Sequence, residues 1–320
     1  MLGAGTQVLA PHKLKAEPCE EEENGLLNWM DVPRLILNAD DFGLTPGVNQ
    51  SIVELNRAGA LTSATLMATA AHFPAAAAEA SARPHSSRTP LGIGCHVVLV
   101  DGLPSLPYSE IPALALPSGR FRPTLSSFVR DLLRGSIPEA EIELEAVSQI
   151  RLLQAAGVKV THVDTHKHTH MFARVLRPLL RAAQICGVHA IRNPFEPAWS
   201  VAATPNAPLA RRLQVQLLGL QRKQFLRKVR RSGLATTDGA LGVLATGTLD
   251  AATLDQLLTS MPEGTWELVC HPAYYDRELE SVQTRLRESR ATEHAALLAT
   301  VPPFAATHPE LELIHFGQLR

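Results

Sequence analysis

The sequence predicts a single-domain α/β protein whose parallel strands form a barrel-like sheet. Short apolar and β-branched runs alternate with longer segments of helical periodicity, which is typical of parallel strands joined by crossover helices. The runs also end on polar residues suited to chemistry, as expected at the carboxyl edge of such a sheet. Both observations point to an α/β fold with its functional site at one end.

Seven or so strands can be located from the apolar runs, beginning with RLILNAD, which ends on a carboxylate. In chain order, strands are predicted at residues 34–40, 61–68, 92–100, 158–166, 189–194, 241–244, 266–272 and 311–316. Helices are predicted at residues 49–58, 75–82, 139–156, 175–186, 209–229 and 251–258. This many strands favours a distorted, TIM-like β/α barrel over two Rossmann halves. No GxGxxG or GxxxxGK motif follows a strand to indicate nucleotide binding.

The two remaining long segments lack regular periodicity. Residues 1–32 contain an acidic run at 20–23 and lack the basic and apolar regions of a signal peptide, so we expect a disordered extension. Residues 33–320 would then form the single domain. Residues 101–138 are rich in Pro, Gly and Ser, which predicts a long active-site loop inserted into that domain.

Composition and charge bear on the binding partners and the location of the protein. The 320 residues are 45% hydrophobic and carry a formal net charge of −1, which offers no argument for binding nucleic acid or an anionic membrane. No apolar run reaches the roughly 20 residues needed to cross a bilayer. The four cysteines lie far apart without a CxxC pair, so we expect a cytoplasmic protein. The sequence does not determine the oligomeric state, and a homodimer is one possibility.

The candidate functional residues lie at the predicted carboxyl ends of the strands: Asp40, Asp41, His96, Asp164, His166, His168, His170, Arg192 and His271. Four of them are histidines within HVDTHKHTH. If this segment is extended, its residues at even positions share one face; if it is helical, His166 and His170 meet one turn apart. Taken alone, His96 would more often be a hydrogen-bonded core residue.

These residue types favour metal-assisted hydrolysis. One carboxylate and two histidines from separate strands form a facial triad for a divalent cation. The second carboxylate is then free to take a proton from water, and a histidine opposite could protonate a leaving amine. Two alternatives remain: an iron oxygenase with two histidines and one carboxylate, and a non-catalytic sugar-binding protein. Iron oxygenases of this kind commonly have a histidine as their first ligand, whereas here the carboxylate comes first in the chain. A sugar-binding protein without activity would be expected to lose Asp40 or a metal ligand, yet all of them are present.

The motifs NADDFG, GCHVVLVDG and THVDTHKHTHMF resemble those of the YdjC-like carbohydrate deacetylases, including chitooligosaccharide deacetylase and hopanoid-biosynthesis-associated proteins. The resemblance covers about residues 34–194 and resumes at 267–274. It implies a distorted β/α barrel that removes acetyl groups from N-acetylated sugars with one divalent metal ion, Mg²⁺ or Zn²⁺. The loop after GCHVVLVDG is similar to that of the hopanoid-associated branch, so the implied substrate is an oligosaccharide or glycolipid that contains N-acetylglucosamine.

The resemblance also implies roles for individual residues. Asp40 matches the general base that activates a metal-bound water, and His271 matches the candidate acid. The metal ligands would be Asp41, His96 and His166. The residues predicted to contact substrate are His168, His170, Asp164 and Arg192. Lys167 stands where the family usually has a histidine, and we expect it to point away from the metal.

Overall fold

The computed structural model describes residues 1–3, 32–82 and 90–319, and in these residues all the strands belong to one parallel sheet. The expected disordered extension therefore lies almost wholly outside the described residues. The strands are β1 (Pro33–Phe42), β2 (Ser63–Leu66), β3 (Gly92–Val97), β4 (Val160–Thr165), β5 (Gly239–Leu241), β6 (Gly264–Cys270) and β7 (Glu312–Leu313). Their spatial order is β4-β3-β2-β1-β6-β5, with β7 beside the start of β1.

Short bridges connect the two edges of this curled sheet. Val163 in β4 pairs with Ile191, and Ala190 in turn pairs with Ala235. Further along, the amide of Ala240 in β5 donates to the carbonyl of Phe195 at 3.1 Å. The segment predicted as a fifth strand at 189–194 thus forms isolated bridges only, yet it links β4 to the region of β5. The prediction of a distorted β/α barrel is confirmed.

Eleven helices surround the sheet within the described residues. They are α1 (Pro46–Arg57), α2 (Phe73–Ser81), α3 (Leu125–Leu133), α4 (Glu139–Ala155), α5 (Ala173–Ile185), α6 (Ala198–Ala202), α7 (Leu209–Gly219), α8 (Arg222–Ser232), α9 (Ala251–Thr259), α10 (Arg277–Ser281) and α11 (Glu288–Thr307). Two 3₁₀ segments cover His166–Met171 and Phe316–Gln318. None of the described helices combines the length and apolar character needed to traverse a bilayer.

Three predictions about these elements need correction. The helix predicted at 209–229 is two helices, α7 and α8, which meet just after Gly219 because glycine weakens a helix interior. The loop predicted at 101–138 contains α3, whose N-cap is the Thr124 side chain. The long helix α11 was not predicted, and it continues through Pro302 and Pro303 near its carboxyl end.

Strand alternation places apolar residues outside the barrel and polar residues within it. Leu35, Leu37 and Ala39 of β1 pack into the main core beneath the helices. The intervening residue Ile36 joins a small interior cluster at the amino end of the strands, with Ala190, Ile314 and Phe316. Toward the carboxyl end the interior is lined by charged and hydrogen-bonding side chains, and these form the candidate site.

Candidate active site

Asp40 and Asp41 reach the same site because the backbone of β1 changes direction between them. The pairing of β1 with β2 has a register shift between Ala39 and Phe42, and Asp41 has a left-handed φ of 65°. Such a bulge re-aims a side chain that would otherwise point to the opposite face of the sheet. The change of direction is therefore at Asp41 itself.

Asp41, His96 and His166 bring three ligand atoms together at the carboxyl end of the barrel. His96 Nε2 lies 3.3 Å from His166 Nδ1 and 3.7 Å from Asp41 Oδ1, and His166 Nδ1 lies 3.5 Å from Asp41 Oδ1. The nearest point equidistant from the three atoms is about 2.0 Å from each, which is close to the length of a zinc–nitrogen bond. The donor set and its spacing therefore fit a divalent cation.

Asp164 fixes the orientation of the His96 ring through the nitrogen that does not face Asp41 and His166. Asp164 Oδ1 lies 2.8 Å from His96 Nδ1, and Thr65 Oγ1 lies 3.3 Å from the same nitrogen. A carboxylate that binds one ring nitrogen leaves the other free to ligate a metal, as is usual for metal-binding histidines. As expected from strand alternation, the adjacent Cys95 packs in the core on the other side of β3.

Arg192 is fully buried beneath this site and joins three carboxylates. Its Nη1 and Nη2 donate to the two oxygens of Asp40 at 2.9 and 2.6 Å. Nη1 also pairs with Asp164, while Nε donates to Glu267 at 2.8 Å. Asp40, Asp164 and His96 are also close enough together to hold an ion, but the guanidinium already supplies the positive charge there. The trio containing Asp41 is therefore the better cation site.

The charges around the site determine its protonation states. Burial alone would raise the pKa of Asp40, but Arg192 and His96 more than offset this and hold it well below its usual range. Burial lowers the pKa of His96, and its carboxylate neighbours, Asp164 foremost, outweigh that effect and raise it to about 9. A bound cation would compete with this proton for the imidazole.

Asp41 is held by a residue that the sequence reasoning did not find. Arg290 of α11 is buried, and its Nη2 donates to Asp41 Oδ2 at 2.5 Å. Burial raises the pKa of Asp41, but Arg290 and then His166 hold it well below its ordinary value. Asp41 thus stays ionised, with Oδ1 turned toward the two histidines and Oδ2 toward the arginine.

His271 follows β6 directly and faces Asp40. Its Nε2 lies 3.8 Å from Asp40 Oδ2, while its Nδ1 is buried without a partner among the described residues. Burial lowers the pKa of His271 to about 4, so the imidazole is neutral near pH 7. The backbone at this point is anchored by Glu293 of α11, which accepts from the His271 amide at 2.6 Å.

The histidine-rich segment is neither extended nor α-helical. It forms a 3₁₀ turn in which Lys167 and His168 have left-handed φ values of 57° and 51°. This turn brings His166 to the site and sends Lys167 outward, where its Nζ pairs with Asp101 at 2.5 Å. His170 is fully buried, with Nδ1 2.7 Å from the hydroxyl of Thr165.

The nine residues predicted from the sequence all lie at this end of the barrel, but only some have exposed surface. Of the four predicted to bind substrate, His168 is partly exposed, whereas Asp164, His170 and Arg192 are completely buried. Their assignment to substrate binding stays a prediction. The sequence reasoning missed Glu267, Arg290 and Glu293. A charged residue within the apolar strand WELVC was a usable signal for Glu267, but the two residues on α11 had none.

Comparison with known proteins places this architecture among relatives. A family model described as YdjC-like protein matches residues 34–301. A carbohydrate deacetylase from Brevibacillus brevis is 31% identical over 287 residues, which cover 89% of this chain and 99% of the relative. A carbohydrate deacetylase from Mus musculus is 32% identical over 252 residues, covering 75% of this chain and 78% of that protein.

A solved structure from Enterococcus faecalis has the same overall fold. It is described as a proposed cellobiose-phosphate cleavage protein, superimposes with a TM-score of 0.70 and is 25% identical. The match covers 89% of this chain and 98% of that one. With the family model spanning most of the barrel and a relative aligned over almost its whole length, the chain belongs to the YdjC-like family.

Proposed function

We propose that this protein hydrolyses the acetamide of an N-acetylated sugar, using a divalent cation held by Asp41, His96 and His166. The observation that carries the proposal is the convergence of three ligand atoms within 3.7 Å of one another, with a second aspartate, Asp40, beside them and outside the trio. The curated relatives named carbohydrate deacetylases support the reaction class.

A cation in this site would polarise the acetamide oxygen and lower the pKa of a nearby water. The two imidazoles in this ligand set favour Zn²⁺ over Mg²⁺, which prefers carboxylates and water. Asp164 would keep the His96 ring aligned for the ion, and Arg290 would leave one Asp41 oxygen to bind it.

Asp40 would act as the general base. It is ionised near neutral pH, because Arg192 keeps its pKa low. Because Arg192 lowers the pKa of Asp40, the protonated form of Asp40 is unfavourable. A proton that Asp40 takes from water would therefore be transferred to another group. His271 is neutral near pH 7 and lies 3.8 Å away, a gap that a small shift or one water would close. Protonated in this way, His271 could protonate the leaving amine.

Asp164 and Arg192 would position the reacting groups without contacting substrate. Each is fully buried, and together they tie the proposed base to the proposed ligand His96. His168 has exposed surface and remains the best placed of the four residues predicted to bind the sugar. The described cysteines Cys95, Cys186 and Cys270 are all unpaired thiols, which supports the proposed cytoplasmic location.

The experiment that tests this function measures acetate release and metal content for Asp40→Asn and His166→Ala. With Asp40→Asn we expect full metal occupancy and a loss of turnover of about 10²–10⁴-fold, the contribution of a general base. With His166→Ala we expect metal binding to fall as well. The substrates to screen are chitobiose, an N-acetylglucosaminyl lipid and a phosphorylated N-acetyl sugar.

The matched control is Asp131→Asn, because Asp131 pairs with Arg122 at 2.8 Å as Asp40 pairs with Arg192, but at the end of α3. It should retain wild-type turnover. Near-normal acetate release by Asp40→Asn on a working substrate would show that another group is the base. Unchanged metal content in His166→Ala would remove the proposed cation site.

A further inference from the structure

The segment from Pro197 to Thr237 has a charge pattern that the near-neutral whole chain conceals. It contains no aspartate or glutamate but eight arginine and lysine residues. It includes α7 and α8, which the sequence predicted as one helix at 209–229. The structure gives the two helices different surfaces.

Helix α7 carries an exposed apolar stripe. Leu209, Leu213, Leu217 and Leu220 are spaced by three or four residues and retain 82%, 54%, 57% and 79% of their accessible surface. No residue of α7 is buried. An isolated exposed leucine is ordinary, but four on one side of a helix form a continuous patch that water solvates poorly.

The helix is held in place by its arginines and not by its leucines. Arg211 donates to the carbonyls of Val243 and Thr246, both at 3.0 Å, and these carbonyls follow the carboxyl end of β5. Arg212 donates to the carbonyl of Val201 at 3.0 Å. The start of α7 is therefore fixed at the same end of the barrel as the candidate active site, with the leucine stripe left uncovered.

Helix α8, which is separated from α7 by two residues, adds positive charge to the same segment. Phe225 and Val229 bury one side of α8 against the barrel. The other side exposes basic residues that form no salt bridge with any described residue: Lys223, Arg227, Arg230 and Arg231. An exposed apolar stripe followed closely in the chain by exposed basic residues is a combination found in segments that bind the interface of an anionic membrane.

We propose that the leucine stripe of α7 and the exposed basic residues of α8 form a docking surface for an anionic lipid bilayer. Leucine side chains would enter the interfacial region while the basic residues face anionic headgroups. A second copy of the chain fits less well, because a twofold contact would place two acid-free basic segments against each other. Nucleic acid would use the basic residues but leave four leucines in water.

The test is co-sedimentation of the full chain with vesicles of phosphatidylcholine containing phosphatidylglycerol, and with vesicles of phosphatidylcholine alone. We expect binding to the anionic vesicles that weakens as salt increases. The double variant Leu213→Gln/Leu217→Gln should bind at least about tenfold more weakly, because it removes two interfacial apolar anchors. Lys223→Gln/Arg227→Gln should lose about tenfold, with two headgroup attractions removed.

The matched control is Leu144→Gln/Leu152→Gln on α4, where the leucines are similarly exposed at 47% and 40% but lie on a helix that carries four glutamates and one arginine. It should bind as the wild type does, and the α7 variant should keep its turnover on a water-soluble sugar. Failure of the full-length wild type to bind anionic vesicles overturns the proposal. A truncated protein without residues 4–31 that does bind would not rescue it, because the proposal concerns the full chain. Equal binding by the α7 variant also overturns it, as does a dimer that only this variant dissociates.

Discussion

Glu267 offers a test of the interior charge network that does not depend on any ligand. It is fully buried, its Oε1 accepts from Arg192 at 2.8 Å and its Oε2 has no partner among the described residues. Burial raises the pKa of Glu267 to about 8, since Arg192 compensates for it only in part. Glutamine can keep the contact to Arg192 but cannot ionise. Comparison of Glu267→Gln with wild type therefore isolates the contribution of Glu267 ionisation to the free energy of unfolding.

The sign of the effect follows from the two pKa values. In the unfolded chain Glu267 loses its proton near pH 4.5, whereas in the folded protein it keeps the proton until about pH 8. Between these values the unfolded state binds fewer protons, so the wild-type free energy of unfolding falls as pH rises. At about 1.36 kcal/mol per pH unit, the loss between roughly pH 5.5 and pH 8 is about 3 kcal/mol. The variant lacks this contribution.

Urea unfolding of both proteins at several pH values measures the difference directly. We expect the free energy of unfolding of Glu267→Gln, relative to wild type, to rise by about 3 kcal/mol across that range. Contributions from the other titrating groups cancel in the difference, provided that the m values agree. A difference that stays constant with pH would mean that Glu267 titrates near its ordinary value, and the account of the buried network would be wrong.

Two further predictions concern the site and the barrel interior. Asp164→Asn should weaken metal binding by about 10–100-fold, measured by competition with a chelator, because the ring of His96 loses its orienting carboxylate. Gly94→Ala should lower the free energy of unfolding by about 1–3 kcal/mol, because its new Cβ would lie 2.5 Å from the buried His162 ring. Gly219→Ala, with open space around its Cβ, is the control and should not destabilise the protein.

The fold was predictable because the strands of a parallel barrel are short apolar runs with polar ends. β1, β3, β4 and β6 coincide with predicted strands to within a few residues. The segment 189–194 reads as a strand by composition, but it makes isolated bridges and lacks a continuous ladder. A periodicity argument detects burial and cannot distinguish a complete strand from a short buried connection.

The residues of the candidate site could be selected from the sequence where they lie at or just after the carboxyl ends of predicted strands. Asp41, His96 and His166 were selected from sequence, and their ligand atoms lie within 3.7 Å of one another. Arg290 was not found because it comes from a helix about 250 residues further along the chain, and only tertiary packing brings it to Asp41. The left-handed φ of Asp41 was also hidden, since no glycine marks that position.

Arg192 has a consequence for how variants of this site combine. The rigid, planar guanidinium of Arg192 contacts both Asp40 and Asp164. If loss of one carboxylate lets the guanidinium move, the contact with the other carboxylate changes as well. Substitutions at the two positions should therefore not be additive, and the cost of the pair should differ from the sum of the single costs. The proposed general base, Asp40, and the carboxylate that orients His96, Asp164, are thus coupled through a single buried side chain.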